Sequence, residues 1–483
     1  MSAQVRVRFA PSPTGFLHVG GLRTALYNYL FAKRQGGKFV LRIEDTDQTR
    51  KVEGAVESLI AALDWSGVHY DEGPRKDGGF GPYVQSERLP LYHKHAQQLI
   101  ERGQAYNCFC THERLDEIRQ KQIAMKLPPA YDRHCRDLPK EEVQARLKAD
   151  ESHVIRMKVP MGGEMTFEDL VRGKVTIAHK VLDDQVLVKS DKFPTYHLAV
   201  VVDDHLMEIS HVIRGEEWLS STPKHILLYQ YFGWNLPQFA HLPLLLNPDK
   251  TKLSKRQGDV AVEDYRSKGY LKEAIVNFVA FLGWNPGDER EIFSLEELIK
   301  EFSLERVGKS GAVFNVEKLS WINQQHIRRK SDKELAEMVK PILMQKGIEV
   351  SNEGYLLKAI ALMKERVTLV QDFAEFGSYF FEEPKVFDEA GRQKHWEAET
   401  NQRISALADE LEALKDFNHQ NIETVVKALA DRLQIKTAQL IHPTRLALSG
   451  RTVGPSLYEM MDLLGKETVV KRLRNAVHTI VTV

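Results

Sequence analysis

Apolar and polar positions alternate over Arg6–Phe9 and again at Phe39, Leu41 and Ile43, whereas Leu22, Ala25, Leu26 and Tyr29 recur at i, i+3, i+4 and i+7. The first spacing is that of a half-buried strand and the second that of one helix face. Pro11, Pro13 and Gly15 interrupt the strand, and Gly36-Gly37 close the helix. Strand, helix, strand predicts a βαβ unit, whose right-handed crossover makes the strands parallel. Helical spacing returns over 53–63 and 88–102, on either side of a glycine-rich stretch from Gly73 to Gly81. Beyond Tyr196, the continuous apolar run Leu198–Val202 predicts a buried strand. A strand over His211–Arg214, a helix over Thr222–Phe232 and a strand over His241–Leu246 follow. This alternation predicts the second half of a parallel sheet.

Between the halves the texture changes, from Tyr106 through a charged helix and Pro128-Pro129 to a β-rich run ending near Thr195. After residue 257 the spacing is helical, as at Ile404, Leu407, Leu411 and Leu414, or Leu457, Met460, Met461 and Leu464. Such stripes are ordinary helix cores. The predicted fold is α/β: a Rossmann-type parallel nucleotide-binding sheet (1–105 and 196–256), split by an inserted α+β domain (106–195) and followed by all-helical C-terminal domains (257–330, 331–385 and 386–483).

Length and charge limit the alternatives. A chain of 483 residues exceeds what one core organises and divides into several domains. Lys plus Arg equals Asp plus Glu at 67 each, so a nucleic-acid surface is a local patch rather than a property of the whole molecule. No apolar run is long enough to span a bilayer and no signal-peptide core is visible at the N-terminus, which predicts a cytoplasmic protein with no membrane partner. Three cysteines do not make a disulfide framework, and their clustering at Cys108, Cys110 and Cys135 points to a metal.

Chemistry concentrates at strand ends. Gly20 and Gly21 open the first helix directly after His18-Val19, where backbone N–H groups and the helix dipole favour phosphate oxygens. The imidazole of His18 can hydrogen-bond such a group. Alone, His-x-Gly-Gly is more often an ordinary turn. Glu44, in Glu44-Asp45-Thr46-Asp47 at the end of the second strand, lies where parallel sheets bind ligands. It could hold an ammonium or be a solvated acidic turn. Lys250, Lys252, Lys255 and Arg256 form a basic loop suited to a triphosphate, although such runs are commonly just solvated. Cys-x-Cys followed 25 residues later by Cys135 supplies three soft ligands. Zinc wants three or four, so the fourth is open.

Arg8-Phe9-Ala10-Pro11-Ser12-Pro13-Thr14-Gly15 with His18-Val19-Gly20-Gly21, and later Lys252-Leu253-Ser254-Lys255-Arg256, resemble the two ATP signatures of class I aminoacyl-tRNA synthetases in their bacterial glutamyl form. Ala10 and Ser12 separate the chain from the glutaminyl relatives, as does its helical C-terminus. The resemblance implies a glutamate–tRNA ligase that makes glutamyl-adenylate from L-glutamate and ATP with Mg²⁺, then transfers glutamate to the terminal ribose of tRNA(Glu). It implies catalytic roles for His18, Lys252 and Lys255, and ATP contacts from Pro11, Gly15, His18, Gly20, Gly21 and Lys255. Glutamate would be held by Arg8, Ala10, Ser12, Glu44, Tyr196 and Arg214. The arginine fork suits a carboxylate and the tyrosine adds a hydroxyl. The insert would bind the tRNA acceptor end, 257–330 the stem, and 331–385 and 386–483 the anticodon, with Arg366 reading its last base. Zn²⁺ would sit on Cys108, Cys110, Cys135 and Asp137, which stands where the family pattern has histidine. Tyr131 and His134 are alternative fourth ligands. The chain is expected to act as a monomer. A tRNA-modifying paralogue, a small-molecule nucleotidyltransferase and a catalytically dead tRNA-binding protein are the rival readings.

Overall fold

The computed structural model describes residues 4–253 and 261–480. Its chain forms two compact units, one reaching to Tyr265 and including Ile275–Asn315, the other comprising Arg266–Ala274 and the residues from Val316 onward.

In the first unit, β1 (Arg6–Phe9), α1 (Val19–Arg34) and β2 (Lys38–Leu41) form the βαβ unit, with β1 and β2 parallel and Arg8 opposite Val40. Leu22, Leu26 and Leu30 of α1 are completely buried, each stabilising the layer by about 1.5–3 kcal/mol. Gly37 is required where the chain turns back, since a Cβ there would stand 2.3 Å from the Val5 carbonyl oxygen. Helices α2 (Ala55–Trp65) and α3 (Leu89–Glu101) follow.

The intervening segment contributes β3 (Ala105–Cys108), α4 (His112–Ala124), α5 (Lys140–Lys148), β4 (Val154–Met157), β5 (Glu164–Asp169), β6 (Gly173–Ala178) and β7 (Val186–Val188). Strands β3, β4 and β7 make an antiparallel sheet. The β5–β6 hairpin instead joins a mixed sheet ordered β6-β5-β9-β8, built with β8 (His211–Gly215) and β9 (Gln238–Leu242). There β9 is parallel to both β5 and β8. The Ser210 amide donates to the Arg6 carbonyl at 2.9 Å, bringing the start of β8 beside β1.

The apolar run Leu198–Val202 is a correction to the sequence reading: it is not a strand but the middle of α6 (Tyr196–Leu206). All five residues are at most 2 % exposed, and a helix buried all round has no polar face to betray its period. Helix α7 (Thr222–Phe232) packs in the same core. Short β10 (Leu245–Leu246) pairs with β11 (Ala312–Val313). Helices α8 (Val262–Ser267), α9 (Lys272–Ala280) and α10 (Leu295–Glu301) lie between them in sequence.

The second unit is helical: α11 (Val316–Arg329), α12 (Asp332–Gln345), α13 (Glu353–Met363), α14 (Asp372–Phe376), α15 (Glu389–His395), α16 (Thr400–Ala413), α17 (His419–Arg432), α18 (Ala438–Ser449), α19 (Leu457–Leu464) and α20 (Lys466–Thr479). Ser331 and Glu334 form a capping box at the start of α12, satisfying two otherwise orphaned amides. Ile404, Leu407 and Leu411 are buried core, as are Met460 and Met461. Among the described residues, no helix is long and apolar enough to cross a membrane.

Candidate active site and thiol cluster

The loop after β1 runs along the continuation of β2. The Arg42 amide donates to the Phe9 carbonyl at 3.0 Å and the Glu44 amide to that of Pro11 at 2.9 Å. This pairing sets Glu44 beside the first motif. His18 caps α1, its Nδ1 accepting from the Gly20 amide at 2.9 Å, so Nε2 carries the proton when the ring is neutral. The two glycines serve different ends. A Cβ on Gly20 would press the His18 ring at 3.2 Å, whereas one on Gly21 would meet Leu17 Cδ1 at 2.9 Å. Gly21 thus permits packing beneath the loop. Gly15 has φ 137°, a conformation that favours glycine. Lys252 is exposed, and Leu253 donates to the Leu245 carbonyl at 2.9 Å. Lys255 lies outside the described residues.

Beside this loop opens a cleft of about 630 Å³ whose lining includes Arg8, Ala10, Ser12, Glu44, Tyr196, Arg214 and Trp218. Its floor is a buried ionic network. Arg8 is paired through Nε and Nη2 with Asp204, at 3.0 and 3.2 Å. Arg42, fully buried, reaches Asp204 at 2.8 Å and Glu44 at 3.0 Å. Asp203 takes Arg88 Nε at 2.7 Å, Tyr92 OH at 2.8 Å and Gln85 Nε2 at 2.9 Å. Buried charges persist only when paired and hydrogen-bonded in this way. Burial pushes the Glu44 carboxyl above its usual range against the pull of Arg42 and Arg8. For Asp204 burial also works upward, but Arg8 and Arg42 outweigh it and hold the carboxyl below its usual range.

Arg214 is held differently. Its Nη1 donates to Tyr196 OH at 3.0 Å and approaches His225 Nδ1 at 3.2 Å; Nη2 donates to Thr222 Oγ1 at 3.0 Å and Nε to His241 Nε2 at 3.1 Å. Burial drives His225 well below the ordinary histidine range and lowers His241, so these partners are neutral. Among the described residues no carboxylate forms an ion pair with Arg214. It presents a cationic fork whose charge is left for a ligand, beside the Tyr196 ring, whose centroid lies 4.0 Å from that of Trp218 at a tilt of 32°.

Sequence reasoning missed Arg42, Asp203, Asp204, Asp169 and His241. Arg42 stands two residues before Glu44, and an arginine between the apolar Leu41 and Ile43 beside an acidic run was an available signal. Asp203 and Asp204 terminate the run misread as a strand, and on α6 they fall on the side facing the arginines.

In the inserted segment, the sulfurs of Cys108, Cys110 and Cys135 lie within 4.8 Å of one another. Tyr131 OH stands 3.2 Å from Cys108 Sγ and 3.5 Å from Cys110 Sγ, and also accepts from the Cys135 amide at 3.0 Å. The hydrogen bond from Cys135, and then that from Tyr131, pull the Cys108 thiol well below its ordinary pKa. Three converging sulfurs and a phenolic oxygen form a donor set that fits a tetrahedral metal. The structure does not bring Asp137 to this cluster: its side chain is 85 % exposed and faces Lys158 Nζ at 3.5 Å. His134 is likewise not among the grouped ligands. In the helical unit, Arg366 is exposed in the turn that follows α13. Arg445, Arg451 and Arg366 place positive charge around the buried Tyr379 phenol.

The strand-end cleft of about 630 Å³ beside the histidine-capped α1 lies in the part of the chain that belongs to the class I aminoacyl-tRNA synthetases. Comparison with known proteins agrees along the chain. Residues 4–321 match the catalytic domain of class I tRNA synthetases (E and Q), and residues 334–477 match an anticodon binding domain. The glutamate–tRNA ligase of Chloroherpeton thalassium is 54 % identical over 99 % of this chain and 98 % of its own; that of Chlorobium chlorochromatii is 53 % identical with the same coverage. A crystal structure of a glutamate tRNA ligase from Elizabethkingia meningosepticum, in complex with its amino acid, superposes with a TM-score of 0.91 at 43 % identity, covering 99 % of this chain and 100 % of that one. The chain belongs to the glutamate–tRNA ligase family.

Proposed function

We propose that the protein activates L-glutamate with ATP to glutamyl-adenylate, releasing pyrophosphate, and passes the glutamyl group to the terminal ribose of tRNA(Glu). The observation that carries this reading is the cleft that sets the unpaired charge of Arg214 and the carboxylate of Glu44 beside the histidine-capped helix. Glu44 holds the substrate α-ammonium, which faces a carboxylate already oriented by Arg42. Arg8, Tyr196 and Arg214 hold the side-chain carboxylate, and Ala10 and Ser12 line the same cleft. The substrate α-carboxylate attacks the α-phosphorus and pyrophosphate leaves, so catalysis is positioning and charge stabilisation without a covalent enzyme intermediate. His18 and the N-terminus of α1, with Pro11, Gly15, Gly20 and Gly21 shaping the loop, hold the nucleotide. Lys252 and Lys255 neutralise the phosphates, and Mg²⁺ enters with ATP.

The segment 106–195 receives the tRNA acceptor end, 257–330 the stem, and 331–385 with 386–483 the anticodon, Arg366 contacting its last base. Cys108, Cys110, Cys135 and Tyr131 would hold a structural Zn²⁺, which would tie β3 to the loop carrying Cys135. The enzyme acts as a monomer in the cytoplasm. Charging of purified tRNA(Glu) and tRNA(Gln) with labelled glutamate and ATP tests the reading: tRNA(Glu) alone is expected to accept glutamate. Charging of neither would overturn the reading, and charging of both would remove the discriminating role of Arg366.

A further inference from the structure

Behind Arg214 lies a second layer that the reaction as described does not use. His241 on β9 receives Arg214 Nε at its Nε2, 3.1 Å away, while its Nδ1 stands 2.6 Å from Asp169 Oδ2. Asp169 ends β5, a strand of the inserted segment, which runs parallel to β9. Both side chains of this pair are completely buried. The other oxygen of Asp169, Oδ1, accepts from the backbone amides of Arg172 at 2.8 Å, Val171 at 3.0 Å and His241 at 3.2 Å. Three amide donors fix the carboxylate, which leaves only Oδ2 to face the imidazole.

A neutral imidazole donates at one nitrogen and accepts at the other. With a carboxylate oxygen at Nδ1, the proton sits on Nδ1, and Nε2 must be the acceptor. Arg214 Nε–H can only donate, so the opposite tautomer would set two N–H groups against each other. The inserted segment thereby supplies the carboxylate behind the imidazole that Arg214 Nε meets.

We infer that Asp169 and His241 are positioning residues for glutamate recognition, Asp169 selecting the imidazole tautomer that orients the Arg214 guanidinium toward the substrate side-chain carboxylate. The inference rests on the assignment of Arg214 to the amino-acid substrate. Burial acting on His241, and the imidazole acting on Asp169 against its burial, keep the pair as neutral imidazole and carboxylate, so no proton need move during turnover.

Asp169→Asn is a directed test because the amide oxygen is bound to take the place of Oδ1 among three N–H donors. Its NH₂ group then faces Nδ1 and forces the proton to Nε2. In full-length protein labelled with ¹⁵N-histidine, and assigned by the signal lost in His241→Gln, the wild type should show Nδ1 protonated and Asp169→Asn should show Nε2 protonated. In tRNA-dependent ATP–pyrophosphate exchange, the KM for glutamate should rise about tenfold or more, the scale of losing a hydrogen bond to a charged group, with the KM for ATP unchanged. His241→Gln, whose amide oxygen can accept from Arg214, should stay nearer the wild-type KM than His241→Leu. Melting curves identify variants that fail to fold. Nε2 protonation in the wild type, or a switched tautomer with unchanged glutamate KM, would overturn the inference. If Asp169→Asn does not fold, equal KM values for His241→Gln and His241→Leu would do so. A wild-type enzyme with the expected tautomer but no exchange with glutamate would overturn the reading of the cleft, and this inference with it.

Discussion

Single side chains in the cleft divide by how their charge is balanced. Arg8 is ion-paired with Asp204 through Nε and Nη2 and Arg42 with Asp204 and Glu44, whereas Arg214 is surrounded by uncharged acceptors. Glu44 is held above the usual carboxylate range by burial, and only its ionised form can hold an ammonium. Its contribution to glutamate binding is therefore present above that raised pKa and lost as pH falls through it. We expect kcat/KM for glutamate, which reports the free enzyme, to fall at a pH above that of an exposed glutamate, and Glu44→Gln to abolish this limb. A profile flat down to the ordinary carboxylate range would count against Glu44 as the ammonium site. Lys255→Ala should slow adenylate formation by about 10²- to 10³-fold, the typical effect of deleting one preorganised donor, while tRNA still binds. An unimpaired rate would exclude that role.

Elements differ in how far local sequence dictates them. Helix α1 is buried without a break from Ala25 to Leu30, but Arg23, Thr24 and Asn28 interrupt its apolar positions and leave the helical spacing legible, whereas the unbroken apolar run of α6 suits strand and helix equally. The thiol cluster depends on β3 and on the chain from Tyr131 to Cys135 meeting, which local spacing does not record. Tyr131 lies against two sulfurs, while Asp137 faces Lys158. If the cluster holds zinc as proposed, Asp137→Ala should retain it as the unaltered protein does, and Tyr131→Phe and Cys110→Ser should weaken or lose it, as read by metal content after dialysis against a mild chelator. Loss of metal from Asp137→Ala alone would restore the aspartate as ligand.

Over the whole molecule, equal numbers of acidic and basic residues leave tRNA affinity to local contacts, and phosphate contacts position while base contacts specify. Arg366→Ala should accordingly raise the KM for tRNA(Glu) by about tenfold, within the range for one lost base contact, without changing the KM for glutamate. An unchanged tRNA KM would make Arg366 a surface residue.

The βαβ start and the helical C-terminal half were legible in the chain, because periodicity, glycine and proline placement, and charge are local properties. The ion pairs beneath the cleft, the helix at Leu198–Val202, the orientation of Arg214 and the oxygen facing the sulfurs of Cys108 and Cys110 were not. Asp204 meets Arg8 across 196 residues and Asp169 meets His241 across 72. Such partners are selected by burial, which obliges every charge and polar atom to find its complement. No local spacing records which strand or helix will supply it.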